Sequence, residues 1–282
     1  MDAATQRSDL ALDAQRGSHS LQRLVSTPRP KALDLYCCAG GAAVGLHRAG
    51  YDVTGWDIVN QPRYPFEFVM GNALDADLTG YDFVWASPPC QAHSNLKSLH
   101  AKQHECFIVR TREKLKASGL PYIIENVMGA PLENPVMLCG SAFGLNVRRH
   151  RIFESNIFLT GTDCEHWKQP EPLSVTGHFD GYGAGSRKAR KPRNLKEAQE
   201  AMGMDWTSAK EIVQAIPPAF SEYLARQVLR VTASANVPVS DGLKEAIPPV
   251  FTQFIGYELA QREWPNEKLS DAVKFSDENL SD

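Results

Sequence analysis

The stretch "KALDLYCCAGGAAVGLHRAGYDVTGWDI", residues 31–58, contains one β-α-β unit. "KALDLYC" predicts a buried strand, "GGAAVGLHRAG" a glycine loop that enters a helix, and "YDVTGWDI" a second strand. The pattern continues with the strand "GYDFVWASPP", a helix near 103–118, the strand "PYIIENV", and "RRHRIFES" leading into another strand. Because strands alternate with helices, the sequence predicts an α/β fold with a mainly parallel, doubly wound sheet.

Composition indicates a globular protein. The chain has 282 residues, 43% hydrophobic, with a net charge of -3. No apolar run approaches the roughly 20 residues that span a bilayer, and the first thirty residues lack the apolar stretch of a secretory signal. We therefore expect a cytoplasmic protein without a membrane partner. Local charge is uneven, because "RRHR" at 148–151 and "RKARKPR" at 187–193 are densely basic; either run could also be a solvated surface.

The six cysteines include no C-x-x-C pair and no histidines at the usual zinc spacing. Neither a structural metal site nor a disulfide framework is expected.

Five segments are predicted along the chain. They are a flexible tail at 1–30, an α/β core at 31–155, a small loop-rich insert at 156–193, a return to the core at 194–230, and an extension at 231–282. "AIPPAFSEYL" from Ala215 is repeated as "AIPPVFTQFI" from Ala246. Each copy predicts a proline-fixed turn that opens an amphipathic helix, and two copies indicate local duplication rather than a solenoid.

A ligand site is predicted where the first strand ends in "DLYCCAGGAAVGL". Such a loop exposes backbone N–H groups at the carboxyl edge of the sheet. Asp57, at the end of the second strand, can accept hydrogen bonds from ribose hydroxyls. Together they favour a nucleoside-bearing cofactor, with an ordinary tight turn as the alternative.

A candidate nucleophile follows in "SPPCQ". Pro88 and Pro89 stiffen the backbone directly before Cys90 and remove two amide donors, so the thiol is held in one direction. A nearby cation would favour the reactive thiolate, and Arg149 and Arg151 are candidates. Glu125, at the end of "IIENV", is a candidate proton donor.

These motifs resemble, in order, those of the cytosine-C5 DNA methyltransferases, and most closely the compact bacteriophage and bacterial versions. "DLYCCAGGAAVGL" resembles the cofactor loop, "GWDI" the ribose motif, "SPPCQ" the catalytic loop and "ENV" the glutamate motif. "RRHR", "EAMGMDW" and "AIPP" resemble the three motifs that follow, and the likeness covers about residues 31–230. In the cofactor loop, Tyr36, Cys38 and Gly40 stand where the family has Phe-x-Gly-x-Gly.

The resemblance implies a class I methyltransferase, a Rossmann-like fold, that moves a methyl group from S-adenosylmethionine to C5 of a flipped-out cytosine in double-stranded DNA and leaves S-adenosylhomocysteine. Cys90 would bond to C6, Glu125 would hydrogen-bond or protonate N3, and Asn126 would support the loop. Arg149 and Arg151 would hold the base and its phosphate. The implied cofactor contacts are Tyr36, Cys37, Cys38, Ala39, Gly40, Gly41, Asp57, Ile58, Asn72, Ala73, Pro88, Ile216 and Pro217.

The insert corresponds to the family's target-recognition segment and is short. The implied DNA contacts are Gln91, Ser94, Arg187, Lys188, Arg190 and Lys191. Since each bidentate base contact supplies only about 1–3 kcal/mol of discrimination, we expect a short or degenerate target. The oligomeric state stays open, and a monomer on DNA is favoured. A restriction-modification setting is implied by the family. Two alternatives stay open, an RNA-directed enzyme of the same chemistry, like the tRNA-methylating relatives, and a DNA-binding homologue without activity.

Overall fold

The computed structural model describes residues 28–89, 107–177 and 189–235. Five predicted site residues, Cys90, Gln91, Ser94, Arg187 and Lys188, lie outside these ranges, as do most of the tail and the second "AIPP" copy. The chain divides into two compact units, Met1–Val231 and Thr232–Asp282. Only the first four residues of the second unit are described.

Seven strands form one sheet within the described residues. They are β1 (Lys31–Leu35), β2 (Asp52–Asp57), β3 (Glu67–Met70), β4 (Phe83–Ala86), β5 (Tyr122–Asn126), β6 (Val136–Leu138) and β7 (Arg151–Ser155). Their order is β3-β2-β1-β4-β5-β7-β6. β7 is antiparallel to its neighbours β5 and β6, and the remaining pairs are parallel. The predicted α/β class, a doubly wound Rossmann-like sheet, is confirmed.

The strand order reverses its direction at β1. The chain moves outward from β1 to β3 and then returns to β4 on the other side of β1. Leu35 is level with both Trp56 and Ala86, so the carboxyl ends of β1, β2 and β4 meet. In open α/β sheets, ligands bind in the crevice at such a reversal.

Helices cover both faces of the sheet. They are α1 (Gly41–Ala49), α2 (Phe107–Ser118), α3 (Leu195–Met202), α4 (Ala209–Ile212) and α5 (Pro218–Ala235). On one face, Leu46 of α1 and Phe220 of α5 pack on Trp85. On the other face, Leu115 of α2 packs on Leu33 and Ile124. Burial on both faces explains the apolar strand sequences.

Local signals set the helix boundaries. α1 ends at Gly50, whose φ of 123° is favourable only for glycine, and its N–H bonds back to the Leu46 and His47 carbonyls. α3 begins at Asn194, whose side chain accepts from the Glu197 N–H. Ser208 and Glu211 form a capping box at α4. No helix among the described residues is long and apolar enough to cross a membrane.

Two short strands were not predicted. β3 and β6 are four and three residues long, and their sequences lack the alternation of a longer strand. The insert is loop-rich as expected in its described part, which holds a short 3-10 turn at His166–Lys168 and isolated bridges at Leu173.

Candidate active site

The loop after β1 is held in an unusual conformation. φ is +60° at Tyr36, +46° at Cys38 and +81° at Gly40. A left-handed conformation costs a residue other than glycine about 1–2 kcal/mol, and it is compensated here by the hydrogen bond from the Tyr36 N–H to the Trp56 carbonyl at 2.8 Å. The second position is one where the resembled family has glycine, which would adopt this φ without strain.

Asp57 fixes this loop from β2. Its two carboxylate oxygens accept hydrogen bonds from the Cys38 N–H and the Val59 N–H, each at 3.0 Å. Each oxygen has a second lone pair, which can accept a hydrogen bond from a ribose hydroxyl. Asp57, which the sequence predicts as the ribose-binding residue, therefore lies at the crevice and fixes the backbone on both sides of it.

Asp34 is a buried carboxyl group near Asp57 that no sequence motif indicated. It lies in β1, is 1% exposed, and neither carboxylate oxygen has a hydrogen-bond partner among the described residues. The Ala43 amide at the start of α1 is close enough to lower its pKa without meeting hydrogen-bond geometry. Burial, followed by the charge of Asp57, raises the pKa of Asp34 well above its ordinary value. A carboxylate inside the apolar strand "KALDLY" was the available signal.

Exposed apolar side chains lie beside the crevice, at the ends of β2 and β3. Ile58 is 70% exposed and Met70 66% exposed. Singly exposed apolar side chains are common on protein surfaces, so these two indicate a binding site only through their position at the carboxyl edge of the sheet. Asn72, predicted as a cofactor contact, caps the turn at Ala73–Asp75 by accepting from the Leu74 N–H, and Ala73 is buried.

The exit loops of β4 and β5 are tied together. Asn126 is 3% exposed; its Nδ2 donates to the Pro88 carbonyl at 3.0 Å, and its Oδ1 accepts from the Val127 N–H. The loop that leads to Cys90 is thus fixed up to Pro88 by a buried amide.

Glu125 is buried beside a cation. Its Oε1 lies 3.0 Å from Arg151 Nε, although this contact is not aligned as a hydrogen bond. Burial raises the pKa of Glu125, and Arg151 opposes that rise. The carboxyl group therefore holds its proton more tightly than an exposed glutamate and is suited to proton donation.

Arg149 is placed differently from Arg151. Its two terminal nitrogens donate to the Val175 and Val213 carbonyls at 3.1 and 2.8 Å, so it joins the insert to the segment after α4. Burial lowers the pKa of Arg149 to about 9, which still leaves the guanidinium protonated at neutral pH. Its backbone has a φ of +26°.

The first "AIPP" copy packs against the start of α1, next to the loop after β1. A Cβ on Gly41 would lie 2.3 Å from the Ile216 carbonyl oxygen, so glycine is required for this approach. Trp206 Nε1 donates to the Ala39 carbonyl at 2.8 Å. Ile216 and Pro217 therefore lie near the start of α1, beside the loop after β1. The helix that follows them, α5, packs on α1.

Two of the predicted DNA contacts are engaged within the chain. Arg190 forms an ion pair with Glu197 at 2.5 Å, and Lys191 Nζ donates to Thr176. Hydrogen bonds from Arg190, and then from the Arg193 N–H, lower the pKa of Glu197 to about 2. This pairing was not foreseen, because the basic run gave no sign of a partner on α3.

The two cysteines in the cofactor loop are poor nucleophiles. Burial, followed by Asp34, raises the pKa of Cys37, and burial, followed by Asp57, raises that of Cys38 to about 12. Because the thiolate is the attacking form, these raised pKa values disfavour either cysteine as a nucleophile.

Comparisons with known proteins found no matching family model and no matching curated protein. Solved structures do match. A prophage-encoded protein of Escherichia coli, whose name assigns it as a DNA modification methyltransferase, matches with a TM-score of 0.48 and 14% identity over 72% of this chain and 99% of its own. The Dnmt2 methyltransferase of S. pombe matches with a TM-score of 0.48 and 12% identity, over 74% and 100%. Spodoptera frugiperda DNMT2 matches with a TM-score of 0.37 and 16% identity, over 55% and 60%. Similarity this distant carries no conclusion about activity.

Proposed function

We propose that the chain transfers a methyl group from S-adenosylmethionine to C5 of cytosine in DNA, through a covalent bond between Cys90 and C6. The observation that carries the proposal is the hydrogen bond from Asn126 to the Pro88 carbonyl. It joins the exit loops of β4 and β5, and Cys90 follows Pro88 by two residues in the sequence. Glu125, next to Asn126, is a buried carboxyl group beside the guanidinium of Arg151.

The residues at the crevice suit a cationic nucleoside. Asp34, Asp57 and Glu125 are buried, and the charges of the last two raise the pKa of the first. A cluster of buried acids is stabilised by a positive ligand, and S-adenosylmethionine carries a sulfonium and an ammonium group. Asp34 would pair with the ammonium group, Asp57 would accept ribose hydroxyls, and Ile58 would contact the adenine.

The N-terminus of α1 supports the same assignment. The first N–H groups of a helix have no intrahelical partner and favour an anion, so Gly41 and the residues after it would hold the cofactor carboxylate. The bound cofactor supplies an electrophilic methyl group.

This chain's own residues would activate the base. Cytosine C5 is a weak nucleophile until a thiolate adds to C6, which makes C5 enamine-like. After C5 has taken the methyl group, loss of the C5 proton to solvent breaks the bond between sulfur and C6, which releases the thiolate and restores the aromatic ring. Glu125, whose pKa is raised chiefly by burial, would donate its proton to N3 as charge develops there. Arg151 would hold negative charge near the ring. The base must first leave the duplex, at a cost of a few kcal/mol.

The state of the other thiols supports Cys90 as the nucleophile. Cys37 and Cys38 have raised pKa values, and Cys139 and Cys164 belong to a separate cluster with two histidines. Cys106 is the sixth cysteine and lies in none of the motifs.

The test is a covalent trap. Duplex DNA that contains 5-fluorocytosine blocks elimination at C5, so incubation with S-adenosylmethionine is expected to leave a protein-DNA adduct. Cys90→Ser should abolish the adduct, and Cys106→Ser, the matched control, should retain it. An adduct that persists in Cys90→Ser would overturn the assignment of the nucleophile.

The substrate is tested by competition. Labelled methyl groups are expected to enter duplex DNA in preference to tRNA at equal concentration. Preferential labelling of tRNA would favour the RNA-directed alternative, and no labelling of either, with DNA still bound, would favour the inactive homologue. Methylation mapping should reveal a short or degenerate target, and a strict site of six or more base pairs would contradict the role given to the short insert.

A further inference from the structure

Four metal-ligand side chains converge outside the crevice. Cys139, His150, Cys164 and His166 each offer one ligand atom, and the four atoms all lie within 4.8 Å of one another. Cys139 Sγ is 3.3 Å from His166 Nε2, and Cys164 Sγ is 3.3 Å from His150 Nε2. Each of the two imidazole nitrogens therefore faces the sulfur of a cysteine on a different segment of the chain.

These separations are close to those of a tetrahedral zinc site. With Zn–S near 2.3 Å and Zn–N near 2.0–2.1 Å, ligand atoms in a tetrahedron are about 3.3 to 3.8 Å apart. The two sulfur-nitrogen contacts already have this length. The longest separation, at most 4.8 Å, requires a contraction of about 1 to 1.5 Å, which side-chain rotation can supply.

Hydrogen bonds between segments of the chain hold the four side chains close together. Cys139 follows β6 directly, and the Gly140 N–H donates to the Arg148 carbonyl at 2.7 Å. Ser141 Oγ accepts from the Glu165 N–H at 2.9 Å and is 3.0 Å from Cys139 Sγ. The four ligands are therefore brought together in two ways. Cys139 and His150 lie at the edge of the sheet, and Ser141 contacts both Cys139 and the segment that carries Cys164 and His166.

The ligand set favours zinc over a disulfide. Two thiols and two imidazoles, with no carboxylate in the group, form the Cys2His2 donor set that is common in structural zinc sites. A disulfide between Cys139 and Cys164 would use the sulfurs alone. The two imidazole nitrogens would then keep only weak hydrogen bonds to sulfur, whereas a shared cation engages all four atoms.

We propose that Cys139, His150, Cys164 and His166 bind one Zn²⁺ as a closed structural site, with the two thiols releasing their protons to solvent on binding. The ion would fasten the start of the insert to β6 and β7. His150 stands between Arg149 and Arg151 in the sequence, so the same ion would fix the backbone that carries the arginine paired with Glu125. The binding of zinc does not rest on the proposed methyl transfer.

The test uses the full chain without an affinity tag. Metal analysis is expected to give one zinc per chain. Replacement by Co²⁺ should give the visible bands of a tetrahedral ion together with a thiolate charge-transfer band. Removal of zinc by a chelator should lower the midpoint of thermal unfolding. A cobalt spectrum without the thiolate band, or a Cys139–Cys164 disulfide in protein purified without oxygen, would overturn the proposal.

Variants assign the ligands. Cys164→Ser and His166→Asn should each weaken zinc binding by more than the roughly 10- to 100-fold that is lost when a residue that only orients a ligand is replaced. Asp163→Asn, one residue from the cluster, is the control and should bind zinc normally. Cys139 is fully buried, so Cys139→Ser could fail to fold. The partly exposed Cys164 and His166 therefore carry the test, and unchanged zinc affinity in both variants would refute the site.

Discussion

Asn126 and Pro88 are joined by a buried hydrogen bond of 3.0 Å between the side-chain amide of one and the backbone carbonyl of the other. Proline fixes φ but cannot by itself fix how its loop sits on the neighbouring strand. The amide supplies that constraint.

Asn126→Ala should lower the rate of methyl transfer by about 100-fold, because misplacement of a reacting group by 1 Å can cost that much, while cofactor affinity stays within a few-fold. Asn156→Ala is a matched control, since Asn156 also donates to a backbone carbonyl and accepts from a backbone N–H, at the opposite end of β5. Single-turnover methylation and cofactor titration are the measurements. Equal rates in both variants would contradict a role for the Pro88 contact.

Asp34→Asn should stabilise the cofactor-free protein at pH 7 by about 1–3 kcal/mol, because an unpartnered buried carboxylate is removed. Burial, followed by Asp57, raises the pKa of Asp34. Below its ordinary pKa both states are protonated, and as pH rises the unfolded chain loses the proton first, so the free energy of unfolding falls. The variant should flatten this fall and weaken cofactor binding.

Urea unfolding from pH 4 to pH 8 measures the effect of Asp34→Asn. Asp77→Asn is the control, because Asp77 is exposed and hydrogen bonds from Thr79 lower its pKa. Tighter cofactor binding by Asp34→Asn would argue against its pairing with the ammonium group.

Glu125→Gln should lower the turnover number by about 100- to 10,000-fold, the range for loss of a general acid, and leave most of the cofactor affinity, because Asp34 and Asp57 remain. The amide retains a hydrogen-bond donor but cannot transfer a proton. Glu133→Gln is the control, since Glu133 is an exposed partner of Lys116. The measurement is labelled methyl incorporation at saturating cofactor, and a residual rate above one tenth of the unmodified chain would be inconsistent with proton donation.

Glu197→Gln should increase affinity for duplex DNA and steepen its dependence on log salt by about one unit, because Arg190 is released to contact a phosphate. Glu200→Gln removes the same charge from the same helix but only a loose pair with Lys196, at 3.9 Å. Binding isotherms at several salt concentrations compare the two. If both variants gain equally, the general loss of negative charge explains the effect and Arg190 has no specific part.

Gly45→Ala should destabilise the protein by about 1–3 kcal/mol, as overpacking does, even though alanine is the better helix former by about 1 kcal/mol. A Cβ there would lie 2.0 Å from Ser221 Oγ and 2.1 Å from the Pro218 carbonyl oxygen. This contact seats the first "AIPP" copy on α1. A urea midpoint that rises in the variant would show that the two helices can separate without cost.

Periodicity along the chain determined most of the fold. Apolar strands such as β1 and β5 and the glycines that bound α1 specify their elements by local physics, so the α/β class followed from sequence. The short β3 and β6 did not, because three or four residues carry no period and form only by pairing with a neighbour. Likewise, an ordered set of motifs indicated which residues belong to one site.

Only the tertiary structure decided which side chains meet. The orphaned carboxylate of Asp34 and the carbonyl contacts of Arg149 depend on distances between segments far apart in sequence. Even the Arg190–Glu197 pair, seven residues apart, depends on how the chain turns into α3. The cysteine-histidine cluster is the clearest case. Its spacing, C-x10-H-x13-C-x-H, gave no expectation of a metal. The antiparallel pairing of β6 with β7 brings Cys139 next to His150, and the hydrogen bond from the Glu165 N–H to Ser141 brings the segment of Cys164 and His166 to them. Local propensity acts over a few residues, whereas ligand geometry is set by where strands end in space.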